Sequence, residues 1–184
     1  MKKITILNGN PGDRPRALEG YLGEVEARLQ SRGHETTTFE LRGMDIRYCT
    51  GCWGCWVRTP GECVITDDSA RICSSVIGSD FLLFASPVIM GFTSALLKRA
   101  CDRLVPIIHP YFEVVNGEFH HRPRYEKYPG LGLILEKSAD TDREDIEIIG
   151  DIYSRMAVNL KSELSLIRLT EDSAGEVADA IDSL

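Results

Sequence analysis

Cys49, Cys52 and Cys55 stand at successive two-residue gaps, and Cys63 follows after seven intervening residues, so four of the six cysteines fall within fifteen residues. Thiolates are soft metal ligands and redox groups. A continuous triple with a fourth sulfur close by has the spacing that wraps a cubic iron–sulfur cluster. Structural zinc sites more often come as two separated pairs. Zinc on the same residues and free redox-active thiols stay open as alternatives. Gly51 and Gly54 are expected to form the tight turns, because glycine takes positive φ angles without penalty. Trp53 and Trp56, interleaved with the thiols, either shield a cluster from water or simply pack. Cys73 and Cys101 lie in helical patterns and read as small buried hydrophobes.

The chain that must position these sulfurs has 184 residues and 43% hydrophobic residues, enough for a single domain over 1–184 with a sizeable core. Lys+Arg 21 against Asp+Glu 28 gives a formal charge of -7. Such a surface has no general attraction for nucleic acid or anionic lipid, and neither is expected as a partner. The start, Met1-Lys2-Lys3 and then Ile4 to Leu7, is too briefly apolar for a signal peptide, and no later run is long enough to span a bilayer. A cytoplasmic setting is expected, where clustered cysteines mean metal or redox chemistry more often than disulfides.

Hydrophobic periodicity predicts strands at Ile4 to Leu7, Thr36 to Leu41, Phe81 to Ala85, Leu131 to Leu135 and Leu164 to Leu169. Helices are predicted between and after them. One carries Leu18, Leu22, Val25 and Leu29 on a single stripe, one starts at Asp67-Asp68-Ser69, one is capped by Thr93 or Ser94 and runs to about Val105, and one spans roughly Asp142 to Leu160. Ser86-Pro87 is expected to stop the third strand. The alternation predicts an α/β, doubly wound three-layer sandwich of flavodoxin-like type, with a five-stranded parallel sheet in the order 2-1-3-4-5. A cysteine-rich loop, 49–63, follows strand two, and an excursion, 109–129, precedes strand four. Within it Asn116-Gly117 marks a hairpin turn.

Ligands of such sheets bind beyond the carboxyl ends of the strands, where strands one and three diverge. The loop after strand one holds Asn10, Gly12, Arg14 and Arg16 and runs into a helix amino terminus, which favours a phosphate. A solvated loop with two surface arginines is the plain alternative. The loop lacks both the Walker A and the GxGxxG spacing, which counts against nucleoside triphosphates and Rossmann-type dinucleotide binding.

Two segments resemble a known family. Cys49-x2-Cys52-x2-Cys55-x7-Cys63-Val-Ile-Thr-Asp67-Asp68 is similar to the compact cysteine motif of the iron-sulfur flavoprotein branch of the NAD(P)H-dependent FMN reductase superfamily. Ser86-Pro-Val-Ile-Met-Gly91, with Leu97-Lys98 and Cys101-Asp102-Arg103-Leu104 behind it, resembles that family's Ser-Pro-Val-Tyr-x-Gly turn and following helix. The resemblance implies a homodimer or homotetramer that binds FMN. The ring would rest on Ser86, Pro87, Val88, Ile89, Met90 and Gly91, and Glu136 and Lys137 would stand in the loop after strand four. The chain departs from the family in three places. Gly9-Asn10-Pro11-Gly12 replaces Gly-Ser-Pro-Arg, Ile89 replaces an aromatic, and Glu136-Lys137-Ser138 replaces a glycine-containing turn.

The function expected is an FMN-dependent oxidoreductase passing electrons between FMN and a 4Fe-4S cluster on Cys49, Cys52, Cys55 and Cys63. No catalytic side chain is required, because the working residues are ligands. The donor or acceptor would be NAD(P)H, a quinone or a ferredoxin. One alternative is an NAD(P)H-dependent FMN or quinone reductase without a cluster. The other is a non-enzymatic interaction protein scaffolded by zinc. In the excursion, its aromatics and His120-His121 are expected at a dimer interface or in a flap over the flavin, with a purely structural loop and then a second metal site as the alternatives, and Arg124 and Lys127 are candidates for a nicotinamide phosphate.

Overall fold

The structure, a computed structural model, describes residues 1–12 and 17–184. Five parallel strands, β1 (Lys3–Asn8), β2 (Glu35–Glu40), β3 (Phe81–Ile89), β7 (Gly130–Glu136) and β8 (Leu164–Leu169), lie in the order β2-β1-β3-β7-β8. This is the predicted doubly wound order. The central strands are apolar nearly throughout because both faces are covered. On one face α1 (Ala17–Ser31) and α6 (Ala174–Ser183) pack Leu18, Leu22, Val25 and Val177 against Ile4, Ile6, Leu83 and Ile134. On the other, α3 (Ser69–Ile77), α4 (Ala95–Asp102) and α5 (Arg143–Asn159) pack Ile72, Leu97 and Tyr153 against Leu7, Leu82, Phe84 and Leu133.

Two boundaries differ from expectation and one short strand is added. β3 does not stop at Ser86-Pro87 but continues to Ile89. Its pairing with β1 ends at Asn8 opposite Ala85, so the N–H that Pro87 lacks falls where that ladder has already finished. A two-residue strand, β4 (Phe92–Thr93), then folds back on β3 through Met90 and Gly91, at φ 51° and 74°. Helix α4 ends at Asp102 rather than near Val105, and a 3-10 turn containing Pro106 follows.

The excursion forms an antiparallel hairpin of β5 (Ile108–Val115) and β6 (Glu118–Pro123). Asn116 and Gly117 turn it at φ 52° and 83°, as the Asn-Gly pair requires. A short helix, α2 (Gly54–Val57), sits in the cysteine loop. Among the described residues no helix is long and apolar enough to cross a membrane.

Candidate functional site

The cysteine loop is clamped at both ends by one buried cation. Arg103, 2% exposed just beyond α4, donates from Nη1 to the Arg47 carbonyl (3.0 Å). Its Nη2 reaches the Ile65 carbonyl (3.3 Å), the Asp67 carboxylate (3.1 Å) and the Ser69 hydroxyl (2.8 Å). Asp67 in turn accepts from the N–H groups of Arg47 (3.0 Å) and Ser69 (2.9 Å). Burial pushes the Asp67 carboxyl up, but the Ser69 hydroxyl, those two N–H groups and the Arg103 guanidinium outweigh it and hold the group below the usual carboxylate range. A buried charge without its partner is costly, so the two residues depend on each other. Spacing alone does not reveal this clamp, because its partners are 34 to 56 residues from Arg103 in sequence.

Inside the clamp the turn residues are partly those expected. Gly51 adopts φ 63°, but the second left-handed position is Trp53, at φ 57°. Gly54 has an ordinary φ and is needed for another reason. A Cβ there would stand 2.5 Å from Val64 Cγ1 and 3.4 Å from Cys52 Sγ. It is a point of close approach, not a positive-φ turn.

Cys49, Cys52, Cys55 and Cys63 all line one cavity of about 280 Å³, floored by Ile65 and Val105. The N–H of Gly54 and the Thr50 hydroxyl hold the Cys52 thiol below its ordinary pKa. Cys55 is pushed up, first by burial and then by the nearness of the other three sulfurs. Among the described residues no three of His, Cys, Asp and Glu are gathered tightly enough to hold a single metal ion. Cys73 and Cys101 lie apart, and burial pushes both thiols up to about 12, which keeps them neutral and unreactive.

Trp56 donates its ring N–H to the Ile108 carbonyl (3.0 Å) and packs on the core, while the exposed Trp53 stacks on it at 4.8 Å. The column continues through His121, 5.0 Å from Trp56, to Phe112, 4.7 Å further on. His120 points the other way, buried against Asn159 Oδ1 at 3.2 Å, so the adjacent histidines face opposite sides as an extended chain dictates. Arg124 and Lys127 are committed elsewhere. Arg124 bonds the Pro106 carbonyl (3.0 Å), and Lys127 pairs with Asp80 at the amino-terminal end of the sheet, the end away from the strand-end loops. That arrangement overturns their reading as a nicotinamide phosphate site.

The loops over the carboxyl ends of the strands form the second candidate centre. Ser86, Pro87 and Val88 are buried within β3, which leaves Ile89, Met90 and Gly91 as the accessible part of the turn. Met90 is 94% exposed and, with Gly91, takes the positive φ that the two-residue turn between β3 and β4 requires. In the first loop Asn8 Oδ1 accepts from the Asn10 N–H (3.0 Å), and Asn10 Oδ1 from the Gly12 N–H (3.0 Å). Asn10 is 1% exposed, yet its Nδ2 has no hydrogen-bond partner among the described residues.

Arg14 and Arg16 lie outside the described residues. A cation that the motif reading passed over is Arg42, which follows β2, donates to the Gly12 carbonyl (3.1 Å) and pairs with Glu19. Glu136 accepts the Leu18 N–H at 3.3 Å in the first turn of α1. Lys137 turns away to Glu171, 2.9 Å distant. Ser94 joins the loops. Its N–H donates to Ser86 Oγ (2.8 Å), its hydroxyl to the Gly9 carbonyl (2.5 Å), and it caps α4 by accepting the Leu97 N–H (3.1 Å).

Residues 2–124 match the model of the NADPH-dependent FMN reductase family. The chain belongs to that family. An iron-sulfur flavoprotein of Archaeoglobus fulgidus is 35% identical over 112 residues, which cover 59% of this chain and 48% of that protein. An iron-sulfur flavoprotein of Methanosarcina thermophila is 32% identical over 114 residues, covering 62% and 58% respectively. The chain thus spans about half the length of the curated relatives it matches. A NAD(P)H:quinone oxidoreductase from Methanothermobacter marburgensis superposes with a TM-score of 0.63 at 17% identity, over 99% of this chain and 95% of that one, a likeness of fold.

Both groups characteristic of such FMN reductase relatives can be tested against this chain's residues. At the ring end, the exposed turn of Ile89, Met90 and Gly91 leaves backbone and a thioether free for a flat aromatic system. At the phosphate end, Asn10 Nδ2 is a buried donor that lacks an acceptor among the described residues, which a phosphate oxygen would supply. For a cluster, four thiols around one cavity form the donor set that iron–sulfur centres use. The residues present fit both groups.

Proposed function

We propose that this chain is an FMN-dependent oxidoreductase that passes electrons between FMN and a 4Fe-4S cluster held by Cys49, Cys52, Cys55 and Cys63. The observation that carries the reading is the convergence of these four cysteines on one cavity. The family membership and the names of its relatives support it. When bound, a flavin accepts a hydride as two electrons and can release them singly, and an iron–sulfur cluster carries one electron at a time.

The chain's own residues hold, orient and shield. Arg103 and Asp67 fix the two ends of the cysteine loop, so the sulfurs are presented on a restrained frame. Ligation requires the thiols to lose their protons, and metal loading therefore releases acid and weakens as pH falls. Ile89, Met90 and Gly91 seat the ring, and Asn10 Nδ2 takes the phosphate. NAD(P)H is the donor class, and a quinone or ferredoxin the acceptor class. The setting is cytoplasmic and the assembly a homodimer or homotetramer. The exposed hairpin aromatics Tyr111, Phe112 and Phe119 support subunit contact.

The test is a visible spectrum of protein prepared without oxygen, with iron, acid-labile sulfide and flavin counted on one sample. Cys52→Ser is expected to remove the broad cluster absorbance and leave the flavin bands. Unchanged iron and sulfide in that variant would overturn the ligand assignment, and zinc without flavin would overturn the whole reading.

A further inference from the structure

The last of the four clustered cysteines borders two spaces. Cys63 and Ile65 line the sulfur cavity and also a second, larger cavity of about 480 Å³. Its size lies within the range of about 300–1,000 Å³ typical of small-molecule sites. One wall is α3, where Ala70, Cys73, Ser74 and Ile77 recur at helical spacing along the cavity while Ile72 and Val76 pack into the core. Three of those four side chains are small, which leaves room between the helix and the 3-10 turn at Pro106 and Ile107. The Cys73 thiol donates to the Arg103 carbonyl at 3.3 Å, so the clamp that holds the cysteine loop holds this wall as well.

The lining selects by charge. Ile65, Ile77, Pro106 and Ile107 supply apolar surface, and Tyr125 adds an aromatic ring. Among the described residues no lysine, arginine or histidine lines the cavity, and its one carboxylate is the exposed Glu62. Arg124 nearby spends its guanidinium on the carbonyls of Pro106 (3.0 Å) and Ile108 (3.4 Å). A phosphate or carboxylate here meets no counter-charge, which disfavours nucleotides, NAD(P)H and FMN included. Hydroxyl-bearing side chains are present instead. Thr66, Ser74 and Tyr125 belong to the lining, whereas the Ser69 hydroxyl is already engaged by Arg103 at 2.8 Å.

We propose that this cavity binds a quinone-class ligand, a flat uncharged ring with carbonyl oxygens, beside Cys63 and apart from the turn of Ile89 to Gly91. The neutral walls and hydroxyls match such a ring, and Cys63 gives it a source of electrons. That electron path rests on the cluster reading, in which the acceptor sits one thiolate from the metal group. The balance closes on the donor class already named: NAD(P)H supplies two electrons and one proton, solvent supplies the second proton, and the quinone leaves as hydroquinone.

The experiment dialyses the oxidised holoprotein to equilibrium, without oxygen or an electron donor, against tetramethyl-1,4-benzoquinone, whose methylated ring resists addition by thiols. Ala70→Phe fills the cavity from an exposed position of α3, and Ser74→Phe does so one turn further on. In each the dissociation constant is expected to rise at least about tenfold, with flavin, iron, sulfide and melting temperature as in the parent chain. Parent-like affinity in either variant, once it is folded and flavin-loaded, overturns the proposal, as does a parent chain that binds the quinone without saturation; both results leave the flavin and cluster readings standing. Affinity lost in the variants of a protein that carries flavin but no iron or sulfide supports the binding site and overturns the cluster reading instead.

Discussion

The two candidate centres are built in opposite ways. Around the cysteines the chain bonds mostly to itself: Arg103, Asp67, Ser69 and the carbonyls of Arg47 and Ile65 bond one another and draw a long loop into a fixed frame, with Arg103 Nε the clamp atom left buried without a partner among the described residues. Over the strand ends, polar atoms are left waiting. Among the described residues Asn10 Nδ2 and Glu136 Oε2 are buried without partners, and Met90 stands exposed in its hairpin turn. A site for a covalently ligated metal group gains from a frame that tethers both ends of the sulfur-bearing loop before loading. A site for a dissociable nucleotide must keep groups unpaired until the ligand arrives, and it accepts a cost in stability to do so.

The sharpest way to break this contrast is Arg103→Ala. The substitution leaves Asp67 buried and uncompensated, and a loss of about 3–5 kcal/mol in urea unfolding is expected, together with failure to take up iron and sulfide. A loss below about 0.5 kcal/mol, as at an ordinary surface site, would show that the loop does not depend on the clamp.

Next in size is Gly54→Ala, whose Cβ meets Val64 Cγ1 at 2.5 Å; overpacking of this kind costs about 1–3 kcal/mol. Adding Val64→Ala should restore part of the melting temperature, because it removes the colliding methyl.

Acidification probes the same frame more gently. Asp67 has a depressed carboxyl in the folded state, so its contribution is fully present above the unfolded value of about 3.9 and is lost as pH falls through the lower, folded value. Below about pH 4 the fluorescence of Trp53 and Trp56 is expected to report loosening of the loop, and Asp67→Asn should flatten that pH dependence.

The smallest effect on stability belongs to the strand-end centre. Asn10→Ala loses one turn hydrogen bond, about 1 kcal/mol, but should weaken FMN binding several-fold, measured by fluorescence titration.

Much of the frame was legible in the residues, and the reasons are physical. Phe81 to Ala85 and Leu131 to Leu135 are central strands covered on both sides, so their apolar runs carry an unambiguous signal. Asn116-Gly117 needs positive φ twice and announces its turn. The clamp was not legible. Arg103 stands out in sequence only within Cys101-Asp102-Arg103-Leu104 of the family resemblance, with no role attached, and only the fold brings Arg47, Ile65 and Asp67 around it. Gly54 was expected as a turn, but a glycine retained for close approach looks the same in sequence as one retained for its φ. The proline in β3 suggested a stop because the extent of pairing with β1 cannot be read from β3 itself. Arg42 escaped notice because it lies outside the loop it serves.

The eight residues of α4 have a role that neither centre shows alone. At one end Ser94 grips Gly9 and Ser86, and at the other Arg103 grips the cysteine segment. A helix of that length is a stiff rod of roughly 12 Å. The spacing between the two halves of the molecule is therefore set by a strut rather than by a hinge, and a displacement of either loop must be borne by the other.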